Sequence, residues 1–296
     1  MKRDFWQRHT ESLDPARDFE EIYRTLVTYE FPWDMTQALG FALFRTYAVP
    51  GIGRLLGATG EFTRTTQKRY DDTVLLLEPP ITLGFEHPRS RAAIRRINQM
   101  HRAYDIPEHE YHYVLSTFVV VPKRWLDAYG YRPLSRTEVD ATVHYYRTLG
   151  HHMGLRDLPT TYEEFEALLD SYEAEHFGFD EGGRAVADAT LAMLADGVPR
   201  ILGGVTSAIG RALMDPPLLA AFAYDAPPAA VVRLVHGALR SRGRLLRFFP
   251  ARRVPQLVEN AEIKTYPDGY EIDALGSFPV PGVGGCPVRH TGSTPT

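Results

Sequence analysis

The chain has 296 residues, 44% of them hydrophobic and 24% charged, with a formal net charge of −4. That composition describes a globular protein long enough to bury one sizeable core, and its mild acidity gives no electrostatic reason to bind nucleic acid. The single cysteine, Cys286, sits in a Gly/Pro-rich tail, which excludes an intramolecular disulfide, a cysteine-held zinc or iron–sulfur centre, and thiol catalysis.

The first residues, "MKRDFWQRHTESLDPARDFEE", have a basic start but no apolar core of a signal peptide. No window approaches the roughly 18 apolar residues that a membrane-spanning helix requires. The expected location is therefore cytoplasmic. Helical spacing then runs through nearly the whole chain. Residues 18–31 place Phe19, Ile22, Leu26 and Tyr29 on one stripe, and 35–49 are apolar almost all round, as in a buried helix. Pro50 ends that helix, and "GIGRLLGATG" reads as a glycine-punctuated turn or short helix. Residues 61–78 form a helix with a weak threonine-rich first half, stopped by Pro79 and Pro80.

The next helix, 88–104, opens on a proline at its first turn, and a long one follows from about Pro107 to Ala128, with Pro122 expected to kink it. Capping boxes start the helices at 135–154 (Ser135 with Glu138) and 160–177 (Thr160 or Thr161 with Glu163 or Glu164). Helices at about 182–196, 199–214, 216–224 and 228–247 complete the set. Strand signals are confined to a possible hairpin at 263–273 around Asp268-Gly269. The expected fold is all-α, one domain of eight to ten helices over 1–276, with a disordered tail from 277 to 296.

His101 shares a helical face with Ile94, Ile97 and Tyr104. An imidazole on an apolar stripe must find a partner for its ring nitrogens. A core histidine bonded to a carbonyl or carboxylate is the commoner outcome; a metal or haem ligand is the other. In "TRTTQKRYDDT", Arg69, Asp72 and Thr73 share a face, with Arg64 and Lys68 nearby. Such a face is either a self-paired charged turn or a clamp for carboxylates, and it runs straight into buried "VLLLE".

Other candidates read as structural. "EAEH" (173–176) is half of a di-iron motif whose second copy is missing, and His144, His151 and His152 lack metalloprotease spacing. No nucleophile elbow, Walker loop or dinucleotide fingerprint is present. Residues 231–253 form a basic amphipathic helix that either docks by its leucines or lies on an acidic membrane surface.

In order, "FRTYAVPGIGRLLGATGEF", "QKRYDDTVLLL", "AIRRINQMHRAYDIPEHEYHYVLSTF", "LDAYGYRPLSRTEVDA" and "YYRTLGHHMGLRDLP" resemble the MpaB-like oxygenase family, which includes the latex-clearing rubber oxygenases. The resemblance covers about residues 40–195. It implies a helical, globin-reminiscent fold binding haem b through one proximal histidine, which falls on His101 after Ile97-Asn98. It also implies use of dioxygen to cleave carbon–carbon double bonds in isoprenoid or other hydrophobic substrates. The family's Arg and, four later, Thr fall on Arg69 and Thr73; where rubber oxygenases have lysine before that threonine, this chain has Asp72.

On this resemblance the iron ligand is His101, the catalytic set is Arg69, Asp72 and Thr73, and Arg69, Lys68 and Arg64 face the haem propionates. Burying a cation beside an apolar helix favours an anionic partner, which a propionate would supply. The alternative is a non-catalytic haem-binding or haem-sensing protein of the same fold, with His109 or His112 as a sixth ligand. A cofactor-free lipid-binding scaffold is the third possibility.

Overall fold

The computed structural model describes residues 1–196, 203–258 and 263–276. Among these described residues there is no strand, and they form a stack of fourteen α-helices. They are α1 Phe5–Glu11, α2 Phe19–Thr25, α3 Pro32–Thr46, α4 Pro50–Thr59, α5 Glu61–Arg64, α6 Thr66–Leu83, α7 Pro88–His101, α8 Glu108–Tyr129, α9 Arg136–His152, α10 Tyr162–His176, α11 Glu181–Ala195, α12 Gly203–Ala212, α13 Pro216–Ala221 and α14 Ala229–Leu246. The expected tail, 277–296, lies outside the described residues. Among the described residues no helix is long and apolar enough to cross a membrane.

The all-α expectation holds, with more and shorter helices than the sequence suggested. A turn of π-helix, Leu26–Glu30, continues α2. Both capping boxes form, Ser135 with Glu138 on α9 and Thr161 with Glu164 on α10. Two expectations fail. Pro79 and Pro80 do not stop α6, which carries both inside it, buried, to Leu83. The burial of this turn against its neighbours outweighs the loss of two backbone donors. The hairpin at 263–273 does not form either: Gly269 takes the positive φ of +95° that its turn signal implied, but the segment ends in a 3₁₀ turn, Ile272–Ala274. Its side chains bond to α6 and α7, and its own backbone bonds are short-range turns rather than a cross-strand ladder.

Helix α8 is the axis of the core. Tyr113, Leu115, Val119, Val120, Trp125 and Leu126 are buried along it, packed among α3, α9, α10 and α14. A second cluster joins Phe44, Tyr47 and Phe62 to Val186, Leu218 and Phe222. The glycines of "GIGRLLG" belong there: α4 is a full helix, and a Cβ on Gly53 or Gly57 would stand 2.7 Å from Gly183 Cα or 2.6 Å from Gly182 Cα. They let α4 and α11 touch backbone to backbone. A third cluster, Leu75, Leu76, Ala93, Ile97 and Leu275, joins α6 and α7 beneath the C-terminal segment. Burying each of its large aliphatic side chains is worth about 1.5–3 kcal/mol.

Candidate functional site

Helices α6 and α7 form an antiparallel hairpin, since only residues 84–87 connect them. Arg69 lies fourteen residues before the end of α6 and His101 thirteen after the start of α7, so each is about 20 Å from the connection. They meet at the open end of the hairpin. There the imidazole stands edge-on to the Tyr111 ring, with centroids 5.4 Å apart. The stripe that carries His101 is buried as expected at Ile94 and Ile97.

His101 Nδ1 is buried and has no hydrogen-bond partner. Burial, helped by the Arg69 charge, pulls the imidazole down to about 4. It is therefore neutral at pH 7, with a nitrogen lone pair available to a metal. The carbonyl or carboxylate that would make it an ordinary core histidine does not reach Nδ1.

Arg69 is a part-buried cation with no carboxylate within ion-pair distance among the described residues. Its Nη1 donates to Thr73 Oγ1, which in turn donates to the Arg69 carbonyl at 2.8 Å. The guanidinium lies 5.1 Å from the Phe62 ring centroid. Burial lowers its pKa against the attraction of Tyr47, Asp72, Glu61 and Tyr104. Such a group lacks an anion.

The remaining candidates have other partners. Lys68 Nζ bonds Asp72 Oδ2 at 2.7 Å, and Tyr266 donates to Asp72 Oδ1. Thr265 donates to Asp71 at 2.6 Å, and Arg96 Nε to the Leu275 carbonyl at 2.7 Å. Together these tie the 263–276 segment over α6 and α7. Arg64 turns back along the chain and bonds the Thr59 carbonyl at 3.0 Å from an exposed position. Of the three cations named from the sequence, only Arg69 lies close enough for its charge to act on the His101 imidazole. Tyr47 and Tyr111 were not singled out in the sequence. Tyr47 lies in a stretch apolar on all sides, where periodicity marks no face.

The other histidine motifs resolve as structure. Glu173 of "EAEH" is buried in an ion pair with Arg45, whose Nε meets Oε1 at 2.9 Å, and Asp215 takes the other side of the guanidinium at 2.6 Å. His109 bonds the Tyr172 hydroxyl at 2.8 Å and is committed there. His112 keeps a buried Nε2 without a hydrogen bond, 3.8 Å from Glu108. Among the described residues no three His, Cys, Asp or Glu side chains gather to hold a metal ion. A haem needs only one such ligand from the protein to hold its iron.

Residues 27–248 match the family model described as "ER-bound oxygenase mpaB/B'/Rubber oxygenase, catalytic domain". The chain is 29% identical over 288 residues to the ER-bound oxygenase mpaB' of Penicillium brevicompactum, covering 90% of this chain and 68% of that protein. It is 29% identical over 244 residues to the ER-bound oxygenase mpaB of Penicillium roqueforti (strain FM164), covering 76% and 82%. Against mpaB of Penicillium brevicompactum it is 30% identical over 214 residues, covering 66% of this chain and 55% of that protein. With most of its helical stack inside the matched region, the chain belongs to the family of mpaB and rubber oxygenase catalytic domains, and it is an oxygenase.

Proposed function

We propose that this oxygenase is haem b-dependent, holds the iron through His101, and uses dioxygen to cleave or oxidise an alkene in an isoprenoid or other hydrophobic substrate. One observation carries the reading: a neutral histidine with an unbonded buried nitrogen shares an apolar corner with an arginine that lacks an anion. A haem has an iron that takes an axial base, an apolar macrocycle, and propionates that take cations. The residues present fit that group.

Haem b, when bound, supplies the redox chemistry on dioxygen, and the protein sets ligand, polarity and access. His101 offers a lone pair because burial and Arg69 keep it unprotonated. Arg69 pairs a propionate or orients a polar group at the haem face by donated hydrogen bonds. Thr73 spends its own proton on the Arg69 carbonyl, so its hydroxyl accepts from Arg69 and fixes the guanidinium. Asp72, bonded to Lys68 and Tyr266, holds the 263–276 segment and is a positioning residue. Ile94, Ile97 and Tyr111 keep the corner apolar and exclude water from the imidazole. The oxygenase names of the relatives favour turnover over a sensing role.

The test is oxygen uptake by the haem-loaded protein supplied with an isoprenoid alkene, with carbonyl products assayed. Oxygen consumption with aldehyde or ketone formation is expected, and both vanish in His101→Ala. Uptake undiminished in that variant overturns the assignment.

A further inference from the structure

Helix α14 docks by one face only. Val235 and Gly243 are buried, and a Cβ on Gly243 would lie 2.3 Å from the Tyr129 carbonyl oxygen and 3.0 Å from that of Gly130. His236 bonds Tyr129 Oη at 2.6 Å and the Ala212 carbonyl at 3.0 Å. This close seat on α8 fixes what the helix turns outward.

The outward face is apolar and cationic at once. Leu234, Leu245 and Phe248 are 72%, 60% and 86% exposed, and at 100° per residue they fall on one narrow stripe. Arg233, Arg240, Arg244 and Arg247, all exposed, run as a second stripe beside it. Beyond the helix, Phe249, Arg252, Arg253 and Val254 are exposed too. The apolar patch reaches Trp33, exposed and capped by the Arg242 guanidinium 3.7 Å from its ring centroid.

From Ala226 to Val258 the chain has seven arginines and no Asp, Glu or Lys, although its overall net charge is −4. Among the described residues only Arg242 of the seven has a carboxylate partner, Asp34 at 2.9 Å. A helix face that merely keeps a protein in solution mixes acids with bases and does not project phenylalanines. Arg247 also donates from Nε to the Tyr131 carbonyl at 2.7 Å. The guanidiniums other than Arg242 have no acidic partner among the described residues, and the apolar side chains beside them are exposed. A phospholipid surface supplies what both take: acyl chains for the aromatics, phosphates for the guanidiniums.

We propose that the outward face of α14 and residues 247–254 form a peripheral docking surface for an anionic phospholipid bilayer. Leu234, Leu245, Phe248 and Phe249 enter the boundary between headgroups and acyl chains, and the arginines bind lipid phosphates. This stands independently of the cofactor assignment.

The full chain is sedimented with phosphatidylcholine vesicles with and without phosphatidylglycerol, at low and high salt. Binding is expected only to the anionic vesicles, weakening with salt. A triple variant, Arg240→Gln with Arg244→Gln and Arg253→Gln, should lower partitioning on the order of 100-fold at about 1 kcal/mol per arginine. Leu245→Ser with Phe248→Ser should lower it roughly tenfold or more. All five side chains are exposed, so helix content by circular dichroism should match the parent protein. No binding to anionic vesicles, equal binding to neutral ones, or full binding by the triple variant would overturn the proposal. So would a dimer seen by light scattering that the Leu245/Phe248 variant dissolves without any vesicle binding, since a second copy would then be the occupant.

Discussion

Arg69 and His101 lie toward the open end of the α6–α7 hairpin, near enough that the guanidinium charge adds to burial in pulling the imidazole pKa down to about 4. Each is an uncomfortable residue in a folded core on its own. Together they leave one unbonded nitrogen and one unmatched cation in the same corner, which a ligand with a Lewis acid and a carboxylate resolves.

Arg69→Met removes the cation and keeps much of the packing against Phe62. Haem should bind roughly 10- to 100-fold more weakly, the loss of one charge-assisted hydrogen-bonded contact. The apoprotein should become more stable by about 1 kcal/mol or less, because a part-buried charge without an anion has gone. Haem titration and urea denaturation of the apoprotein give the two readouts. A variant that loses stability and keeps its haem affinity would show Arg69 to be structural.

Acid should destabilise the apoprotein through His101. Its folded pKa of about 4 lies below the ordinary 6.5, so between those values the unfolded chain takes up a proton that the folded one refuses. Stability is complete above about pH 6.5 and is lost as pH falls toward 4, by about 3 kcal/mol from this residue alone. The groups beside it are Arg69, which stays charged, and Tyr111, which stays neutral in that window. Urea midpoints at a series of pH values should fall less steeply in His101→Gln than in the parent.

Glu173→Ala should cost about 3–5 kcal/mol, since it strips the bidentate partner from buried Arg45 and leaves only half-exposed Asp215. Haem content per folded chain should not change. A drop in iron content without loss of folding would instead revive a metal role for the Glu-x-x-His motif.

Gly57→Ala should separate α4 from α11, because the new Cβ would meet Gly182 Cα at 2.6 Å with backbone on both sides. A loss of about 1–3 kcal/mol is expected despite alanine's better helix propensity. A thermal midpoint that rises instead would show the two helices free to move apart.

Much of the fold was legible because local chemistry decided it. Ser135 with Glu138 and Thr161 with Glu164 start helices wherever they occur, and they do so here. Pro79-Pro80 misled because a local rule met a buried environment strong enough to override it. Asp268-Gly269 correctly marked a turn, yet Thr265 bonds Asp71, Tyr266 bonds Asp72 and Arg89 bonds the Tyr270 hydroxyl, so tertiary partners replaced the cross-strand ones of a hairpin. His101 and Arg69 were each visible on their own helices. Their meeting was implied by the family resemblance and not by periodicity, because it depends on counting equal distances back from the connection at 84–87. Lys68 and Arg64 were named beside Arg69 as further cations for the propionates, and side-chain geometry gives each a different partner, Asp72 and the Thr59 carbonyl.

The most direct test is a pyridine haemochrome measurement on the purified protein and on His101→Ala, each reconstituted with haemin. Near one haem b per chain in the parent, with a Soret band that collapses in a folded His101→Ala, is the predicted result. A parent that takes up no haemin, or a variant with an unchanged spectrum, would contradict the assignment of His101 as the iron ligand.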